Sequence, residues 1–355
     1  MPKLKIGDTV KIKNGGEAKV LAEFGAGGQG TVYKVSYQGV EYALKWYHDG
    51  VFHGKENAFY QNLENNISKG APTKAFLWPL GITEPQNGSF GYIMNIRPNG
   101  YDELTDFFVG SKKKNQVRFK SFSAISTAAI NIIQAFRELH NSGYSYQDIN
   151  NGNFFINPNS GDVMICDNDN VSPFGTNLGI GGKQRWMAPE IVMGGDPDKQ
   201  SDRFSLAVVL FRLLFINHPL EGRYSTPPCM TKELERRYYG TDPVFVYDPD
   251  NQVNRPIQGT DHNLRLFWSI YPQYIKDAFI RAFSHDVMMK KAPRIIEIEW
   301  LNLFFRLRAE TILCPHCKQD TFYDMALTES TCMECGKKIQ KPAVLNTQHF
   351  ALPIV

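Results

Sequence analysis

The sequence lacks any long hydrophobic run, and its charges are nearly balanced. The longest apolar stretch, residues 206–216, contains Arg212 and is too short to span a bilayer. The first residues carry no apolar segment of the kind found in signal peptides, so we expect a cytoplasmic chain. A net charge of +3, from 39 basic and 36 acidic residues, creates no field that would attract nucleic acid or an anionic membrane. We therefore expect no membrane association, and nucleic acid is not a favoured partner.

Cysteine is scarce, with six residues in 355, yet four of the six form two C-x-x-C pairs near the end of the chain. These are Cys314, Cys317, Cys332 and Cys335. Two such pairs at this separation can surround one Zn²⁺ tetrahedrally, and since four thiolates fill the coordination sphere we expect a structural metal. His316 is an alternative ligand. An iron–sulfur centre and a redox dithiol are the alternative uses of the cysteines.

Hydrophobic residues make up 42% of the chain and aromatic residues 13%, which is enough for a sizeable core. Short β-rich runs alternate with turn residues over 8–94, and three of them are typical of successive antiparallel strands. These runs are 18–24, 31–36 and 41–46, and an extended run returns at 92–96. A helical spacing covers 55–66, and longer helices are predicted at 124–140, 201–215, 271–284 and 295–308. The pattern predicts an α+β fold, with a β-rich small lobe before a larger helical lobe.

A glycine-rich segment joins the first two of these predicted strands. Residues 25–32 read G-A-G-G-Q-G-T-V. Glycines let backbone amides approach phosphate oxygens without a side-chain clash, and a valine just beyond them can close over a nucleotide base. The candidate ligand-binding residues are Gly25, Gly27, Gly28, Gly30 and Val32. A tight hairpin turn with no ligand is the alternative interpretation.

Lys45 follows in the next strand, at the spacing that presents an ammonium group to the phosphates of a nucleotide. An acidic partner for this lysine is expected on the helix at 55–66. Glu56 is the first candidate, because it opens an apolar helical pattern, and Glu64 is the second. Either carboxylate can equally be a surface charge.

Asp148, Asn153 and Asp167 follow the helix at 124–140 in the order that phosphoryl transfer requires. Asp148 can orient an acceptor hydroxyl and take its proton, while Asn153 can bind a metal ion. Residues 163–166 predict a short buried strand that delivers Asp167 to Mg²⁺. An aspartate after a strand is also a common turn former, but its position relative to Asn153 favours the functional interpretation.

Together these motifs resemble a Hanks-type, eukaryotic-like Ser/Thr protein kinase of bacterial type over residues 13–308, with a C-terminal zinc ribbon. The resemblance includes A-P-E at 188–190 and S-D-R-F-S-L at 201–206, where Asp202 would brace the catalytic loop. Glu190 would pair with a large-lobe basic residue, Lys291 or Arg294.

The resemblance implies a small lobe at about 13–96, a large lobe at about 97–308, a zinc ribbon at 310–342 and a tail at 343–355. It implies ATP, Mg²⁺ (or Mn²⁺) and structural Zn²⁺ as cofactors. Asn153 and Asp167 would bind the magnesium. The adenine would be held by Ala43, Met94, Asn95 and Ile96.

Three motifs depart from the family. Residues 146–148 read Y-Q-D in place of H-R-D. Because the arginine that usually pairs with an activation-loop phosphate is missing, we do not expect phosphorylation of that loop to switch the activity. Residues 167–169 read D-N-D in place of D-F-G, and Asn150 replaces a lysine. Our hypothesis is that Lys183 supplies from the activation segment the charge that Asn150 lacks. An exposed loop lysine is the alternative.

We expect this chain to transfer the γ-phosphate of ATP to serine or threonine hydroxyls of protein substrates, including itself. A nucleotide-binding pseudokinase scaffold that recruits partners through the zinc ribbon is the alternative, and a small-molecule kinase is the third reading. Residues 221–263, rich in Pro, Gly, Asp and Tyr, predict an insertion or elaborated loop. This segment and the zinc ribbon resemble bacterial kinases associated with a phosphatase and other signalling proteins.

Overall fold

A computed structural model describes residues 3–86, 88–108, 116–179, 182–324 and 327–340. Its first part is an antiparallel sheet of six strands in the order β1-β2-β3-β4-β6-β5. The strands are β1 (Thr9–Lys11), β2 (Glu17–Ala26), β3 (Gly30–Tyr37), β4 (Val40–Tyr47), β5 (Pro79–Ile82) and β6 (Gly91–Met94). The predicted strands correspond to β2, β3, β4 and β6, whereas β1 and β5 were not predicted.

Strand β4 is covered on both faces, which determines where Lys45 lies. Alternate side chains of a strand point to opposite faces. Leu44 and Trp46 pack into a cluster with β1, β2 and β3. Ala43 and Tyr47 pack on the other face with Phe59 and Leu63 of helix α1 (Glu56–Lys69). Lys45 is buried at 4% exposure and lies two residues from both Ala43 and Tyr47, so its side chain is on the same face as theirs, the α1 side of the sheet.

The rest of the chain is mainly helical and surrounds one large hydrophobic core. Its helices are α2 (Phe122–Asn141), α3 (Pro189–Val192), α4 (Lys199–Phe215), α5 (Lys232–Arg236), α6 (His262–Ile270), α7 (Gln273–Ala282), α8 (His285–Met288) and α9 (Glu297–Ala309). The four predicted large-lobe helices correspond to α2, α4, α7 and α9. Helix α4 begins two residues earlier than predicted, because the Asp198 carboxylate caps it by accepting from the backbone N–H groups of Gln200 and Ser201, both at 2.8 Å.

Short strands hold the two segments that carry the polar motifs. They are β7 (Asp102–Glu103), β8 (Tyr144–Ser145), β9 (Phe154–Ile156), β10 (Val163–Ile165) and β11 (Ser172–Pro173). Strand β9 pairs antiparallel with both β10 and β7, and β8 pairs with β11. The loop 146–153 is therefore fixed between β8 and β9, and Asp167 follows β10. The β8–β11 pair also fastens the beginning of the activation segment, the stretch from Asp167 to the A-P-E motif at 188–190, to that loop.

The segment 221–263 is an elaborated loop that contains α5 and is tied to the core by Asn254. This side chain is fully buried. Its Nδ2 donates to the carbonyl oxygens of Leu220 at 2.9 Å and Val244 at 2.7 Å. Its Oδ1 accepts from the Tyr224 backbone N–H at 3.1 Å. One amide thus organises the turn, which composition alone could not indicate.

Two small antiparallel hairpins follow α9. The first pairs β12 (Thr311–Leu313) with β13 (Asp320–Phe322), and the second pairs β14 (Glu329–Thr331) with β15 (Lys338–Gln340). The predicted fold class, a bilobal α+β domain followed by a small cysteine module, is confirmed. The predicted tail at 343–355 lies outside the described residues. None of the helices in the described ranges has the length and apolar character that crossing a bilayer requires.

Candidate active site

The glycine-rich segment forms the turn between β2 and β3, where the Gly27 N–H donates to the Gly30 carbonyl oxygen at 2.8 Å. Its glycines differ in what surrounds them. A Cβ at Gly30 would lie 2.5 Å from the Trp46 carbonyl oxygen, so the close approach of β4 requires this glycine. A Cβ at Gly25 or Gly28 would meet no atom within 4 Å, so nothing in the described structure prevents a ligand from approaching these two.

The candidate adenine-binding residues come together beside β4. Val32, Ala43, Met94 and Ile96 belong to one apolar cluster, which also includes Leu178 of the activation segment. Met94 pairs with Ala43 in the β4–β6 register, so both lie at the same end of the sheet. The exposed Asn95 follows at the junction between the lobes. Ala43 lies two residues from Lys45 on the same face of β4, so this apolar cluster lies beside the lysine.

Lys45 is held by three side chains. Its Nζ donates to Gln29 Oε1 at 2.9 Å, Asp169 Oδ2 at 2.8 Å and Asp167 Oδ1 at 3.2 Å. Burial acts to lower the pKa of the Lys45 ammonium, but the charges of Asp167 and Asp169 outweigh it and raise the pKa above its usual value. The lysine is therefore a fixed cation, between the glycine-rich turn and the segment that follows β10.

The structure corrects the prediction of an acidic partner for Lys45 on α1. Glu56 Oε1 accepts from the Gly54 backbone N–H at 3.4 Å, and Glu64 pairs with Lys13. Within the described residues neither forms a hydrogen bond or an ion pair with Lys45. Asn62 and Asn66 both donate to the Val171 carbonyl oxygen, at 2.8 and 2.7 Å. The carboxylates on Lys45 come instead from Asp167 and Asp169.

The catalytic loop brings Asp148, Asn150 and Lys183 into one chain of hydrogen bonds. Lys183 Nζ donates to Asn150 Oδ1 at 2.8 Å, and Asn150 Nδ2 donates to Asp148 Oδ1 at 3.0 Å. Burial raises the pKa of Asp148 to about 6; the amide of Asn150 and the charge of Lys183 oppose this rise, while the charge of Asp167 adds to it. Lys183 thus lies where the substitution hypothesis requires a cation.

Asn153 and Asp167 fit a magnesium ion by the chemistry of their donor atoms. Asn153 Nδ2 donates to the Asp148 carbonyl oxygen at 2.8 Å, which leaves the amide oxygen for a cation. The Asp167 side chain is 41% exposed and follows β10 with a left-handed φ of 51°. Carboxylate and amide oxygens are ligands that Mg²⁺ prefers. The Cys166 N–H donates to the Asn153 carbonyl oxygen at 2.8 Å, which ties the two candidate ligands together.

Asp202 fixes the backbone of the catalytic loop. Its carboxylate accepts from the N–H of Tyr146 at 2.6 Å and of Gln147 at 3.1 Å. His140 Nε2 lies 3.1 Å from the same carboxylate. The bracing role expected of Asp202 therefore has its geometric basis here.

Gln147 was missed as a functional side chain, since the sequence showed only the absence of an arginine. Its Nε2 contacts Ser145 Oγ at 3.1 Å, the Ser172 hydroxyl and the Thr176 carbonyl oxygen at 2.7 Å. The residue adopts a positive φ of 70°. A neutral amide thus fastens the activation segment, at the position where the family has an arginine.

Glu190 forms a bidentate ion pair with Arg294, with N–O distances of 2.7 and 2.8 Å. Of the two predicted partners, Arg294 is the one found, since it is buried and also donates to the Gln200 carbonyl oxygen at 2.7 Å. Lys290 is a second cation on the same carboxylate, at 3.2 Å.

The four cysteines of the C-terminal module converge, with their sulfur atoms all within 4.8 Å of one another. Cys314 and Cys335 sulfurs lie 3.8 Å apart, and those of Cys317 and Cys332 lie 3.7 Å apart. A tetrahedron with Zn–S bonds of about 2.3 Å has sulfur–sulfur edges of about 3.8 Å, so the donor set fits zinc. His316 Nε2 instead lies 3.2 Å from the Lys338 carbonyl oxygen, which gives its ring a role outside the cluster.

Comparison with known proteins agrees with this geometry. The chain is 27% identical over 207 residues to the probable serine/threonine-protein kinase kinX of Dictyostelium discoideum, covering 55% of this chain and 18% of that protein. It is 23% identical over 269 residues to the dual specificity protein kinase shkB of the same organism, covering 74% of this chain and 36% of that protein. It is 24% identical over 295 residues to protein kinase YegI of Escherichia coli (strain K12), covering 78% and 43%.

This chain thus spans less than half of the length of each of these three relatives. The family model of the protein kinase domain matches residues 18–239, which is more than half of the chain. That span contains Lys45, Asp148, Asn153, Asp167 and the A-P-E motif. The chain belongs to the protein kinase domain family.

Proposed function

We propose that this chain transfers the γ-phosphate of ATP to serine or threonine hydroxyls of protein substrates, including its own. The observation that carries the proposal is the convergence of Lys45 with the segment after β10. Lys45 contacts Asp167, which lies 122 residues further along the chain, beside the loop that holds Asp148 and Asn153. Phosphoryl transfer depends on positioning and on neutralising charge, and a fixed cation beside exposed oxygen donors provides both.

Each residue has a distinct task in this proposal. Lys45 binds the nucleotide phosphates, and Gly25 and Gly28 leave room for the phosphates to approach the backbone, whereas the Gly27 N–H is bonded to the Gly30 carbonyl oxygen. Asp167 and Asn153 would hold Mg²⁺ (or Mn²⁺), which supplies charge neutralisation when bound.

Asp148 orients the acceptor hydroxyl and accepts its proton. Lys183 stabilises negative charge beside Asp148, at the place of the lysine that Asn150 replaces. Val32, Ala43, Met94, Asn95 and Ile96 complete the proposed nucleotide site around the adenine.

A protein acceptor is favoured over a small molecule by the architecture below the site. Glu190 and Arg294 anchor the end of the activation segment to α4, and Asp202 braces the loop from the same helix. These contacts build a rigid platform beside Asp148 on which a peptide can lie. The relatives named as serine/threonine or protein kinases support the same substrate class.

The C-terminal cysteines, in this proposal, hold a structural Zn²⁺, with all four positions filled by sulfur. The proposal also includes a bacterial type of kinase, a cytoplasmic setting and a phosphatase partner. Their support is the sequence resemblance, together with the similarity to YegI of Escherichia coli.

The test measures Mg²⁺-dependent transfer from γ-labelled ATP to the chain itself and to a generic protein acceptor. The wild type is compared with Asp148→Asn, and with Asp277→Asn as a control on the exposed face of α7. We expect loss of a general base to lower kcat by about 10²- to 10⁴-fold, with little change in nucleotide affinity. Tight ATP binding without transfer, across several divalent metals, would instead establish the pseudokinase scaffold.

A further inference from the structure

The ion pair on Lys45 comes from the same short segment as the candidate magnesium ligand. Asp167 and Asp169 both contact Nζ, at 3.2 and 2.8 Å. The two carboxylates differ in exposure, since the side chain of Asp167 is 41% exposed and that of Asp169 is fully buried. The exposed Asp167 carboxylate can turn to a metal ion, whereas the buried Asp169 carboxylate stays beside the lysine.

Asp169 is held in place from both ends. Its Oδ2 also accepts from the Tyr47 hydroxyl at 2.6 Å, and Tyr47 follows Lys45 by two residues on the same face of β4. The backbone turn that carries Asp169 is anchored by Asn168, whose Nδ2 donates to the carbonyl oxygens of Leu77 and Ile165, both at 2.9 Å. The Asn168 amide thus fixes this turn by hydrogen bonds, at the position where the family has the apolar phenylalanine of D-F-G.

The Asp169 carboxylate is incompletely satisfied without its cation. Within the described residues its Oδ1 is buried and has no hydrogen-bond partner. A buried carboxylate is costly unless it is paired, so this side chain is tolerable only while Lys45 remains beside it. Such a demanding arrangement is typical of a functional constraint more than of packing.

Helix α1 takes a different role. Its inward side chains Asn62 and Asn66 grip the Val171 carbonyl oxygen, and its acids Glu56 and Glu64 engage other groups. Within the described residues the helix therefore hydrogen-bonds to the Val171 backbone of the activation segment and forms no hydrogen bond or ion pair with the lysine.

We propose that Asp169 is the positioning residue for Lys45, in the role that a helical glutamate has in other protein kinases. The inference rests on the proposed function of Lys45 and Asp167. Asp169 keeps Lys45 in place when Asp167 turns to the metal ion. The turn 167–169 then determines the positions of both Lys45 and the metal ligand Asp167. A movement of α1 alone therefore leaves the lysine in place.

The experiment compares the wild type with Asp169→Asn, which keeps the shape and removes the charge, and with Asp169→Gly. Glu64→Gln is the matched control, since it removes a carboxylate of α1 that pairs with Lys13 and not with Lys45. Melting temperatures confirm folding. Three quantities are then measured: kcat and KM for ATP, the Mg²⁺ concentration for half-maximal activity, and the dissociation constant of ADP in the presence of EDTA.

We expect Asp169→Asn to lower kcat at least about tenfold, because Lys45 loses its buried carboxylate partner. Of its two carboxylates Lys45 would then retain only Asp167, so the Mg²⁺ requirement should rise at least about threefold. Metal-free ADP binding should weaken at least about threefold, while Glu64→Gln leaves all three quantities unchanged.

Should Asp169→Asn unfold below the assay temperature, Tyr47→Phe carries the test. It removes one hydrogen bond to Asp169 and leaves every charge in place, so shifts in the same direction are expected. The inference is overturned if both Asp169 variants stay within about twofold of the wild type in ADP binding and Mg²⁺ requirement. It is also overturned if Glu56→Gln abolishes activity while Asp169→Asn preserves it. An inactive wild type would remove the proposed function, and ADP binding would still report on the Lys45–Asp169 pair.

Discussion

Lys183 reaches the catalytic loop from a segment that sequence spacing alone would leave exposed. Its ammonium donates a hydrogen bond to Asn150, and the amide of Asn150 donates one to Asp148, so a single side chain links the cation to Asp148. A Cβ at Gly152 would lie 3.2 Å from Asn150 Oδ1 and 3.4 Å from Lys183 Nζ, so a side chain there would press first on the Asn150 oxygen that holds the ammonium. The cation is therefore built into the loop, although it comes from a different part of the chain.

Under the proposed function, Lys183→Ala should lower kcat by about 10- to 100-fold with KM for ATP almost unchanged, since the charge would act on the transferring group and not on nucleotide binding. Lys183→Arg should restore part of the rate. Lys199→Ala is the matched control, because Lys199 is an exposed lysine whose ammonium lies 5.2 Å from the Phe174 ring. Steady-state kinetics with a peptide acceptor measure the effect. Full activity in Lys183→Ala would contradict the substitution hypothesis.

Residues of the site that lie in ordered motifs could be found from the sequence, and those defined by contacts could not. Lys45, Asp148 and Asp167 have a fixed order and spacing, which a single chain displays. The bond between Lys45 and Asp169 joins positions 124 residues apart, and no local pattern encodes it. A helical glutamate was expected because Glu56 opens an amphipathic run, yet the inward face of α1 carries Asn62 and Asn66 instead.

At the level of elements, the activation segment is held to the catalytic loop by neutral groups. Strands β8 and β11 pair, and Gln147 adds contacts to Ser172 and Thr176. An arginine in this position needs a phosphate to neutralise it, whereas an amide does not. The beginning of the segment is thus ordered without a covalent modification.

Gln147→Leu should raise amide hydrogen exchange over residues 172–179, because it removes the side-chain donor and leaves the backbone in place. Phosphatase treatment of the wild type should leave that exchange unchanged. Gln38→Leu provides the control, since Gln38 also has a positive φ, of 51°, but lies in an exposed turn. Exchange measured by mass spectrometry decides the outcome. Equal protection in Gln147→Leu and the wild type would show that the β8–β11 pair is sufficient.

His140 joins three helices of the large lobe. It lies on α2, with Nε2 at 3.1 Å from Asp202 on α4 and Nδ1 at 2.9 Å from Glu297 on α9. Arg203 adds a bidentate contact to Glu297. Burial acts to lower the pKa of His140, but its two carboxylate partners outweigh burial and raise it to about 9. Both ring nitrogens then donate, and the imidazolium stabilises the fold.

Stability should consequently fall at alkaline pH. The pKa of His140 is higher in the folded state than its ordinary value of 6.5, so the stabilisation is complete below that pH and is lost as the pH rises through about 9. The free energy of unfolding should drop by about 1–3 kcal/mol between these limits. Urea titrations across this range measure it. His140→Gln should flatten the dependence and His285→Gln, an exposed control, should not; an identical slope in His140→Gln would assign the effect elsewhere.

Elements with long periodic patterns were predictable, and short elements set by neighbours were not. Helices α2 and α4 have long apolar patterns, so their existence follows from the sequence, although each begins two residues before its predicted start. Strands β8 and β11 contain two residues each and exist only through their mutual pairing. In the same way the order around Asn254 depends on buried carbonyl groups that become neighbours only in the folded chain.

At the scale of the whole molecule, the cysteine module packs on the helical lobe and is not a detached appendage. Phe322 of β13 packs against Phe122 at the start of α2 and Tyr271 after α6, with ring centroids 5.0 and 5.2 Å apart. The Asp320 carboxylate accepts from the Phe122 backbone N–H at 2.8 Å. The buried Glu310 carboxylate also accepts from the Tyr274 hydroxyl at 2.7 Å. The position of β13 therefore links the module to α2.

Removal of the metal should loosen this contact. The module has a small core of its own, made of Tyr323, Ile339 and the buried sulfurs of Cys314 and Cys332, so its folding should require the ion. We expect about one zinc per chain in protein purified without chelator. A strong chelator should raise hydrogen exchange over 311–340 and in the first turn of α2, while the β4 amides around Lys45 stay protected.

Two variants and one control separate the effect of the metal from the effect of the packing. Cys332→Ser should lose the zinc and reproduce the effect of chelation. The control Cys229→Ser, at an exposed free cysteine, should change neither the zinc content nor the hydrogen exchange. Phe322→Ala should retain the zinc and loosen only the first turn of α2, because it removes the ring that covers Phe122. Zinc content by mass spectrometry and exchange at the two regions distinguish these cases. If Cys332→Ser keeps full protection over 311–340, the module folds without its metal and the ion is not structural.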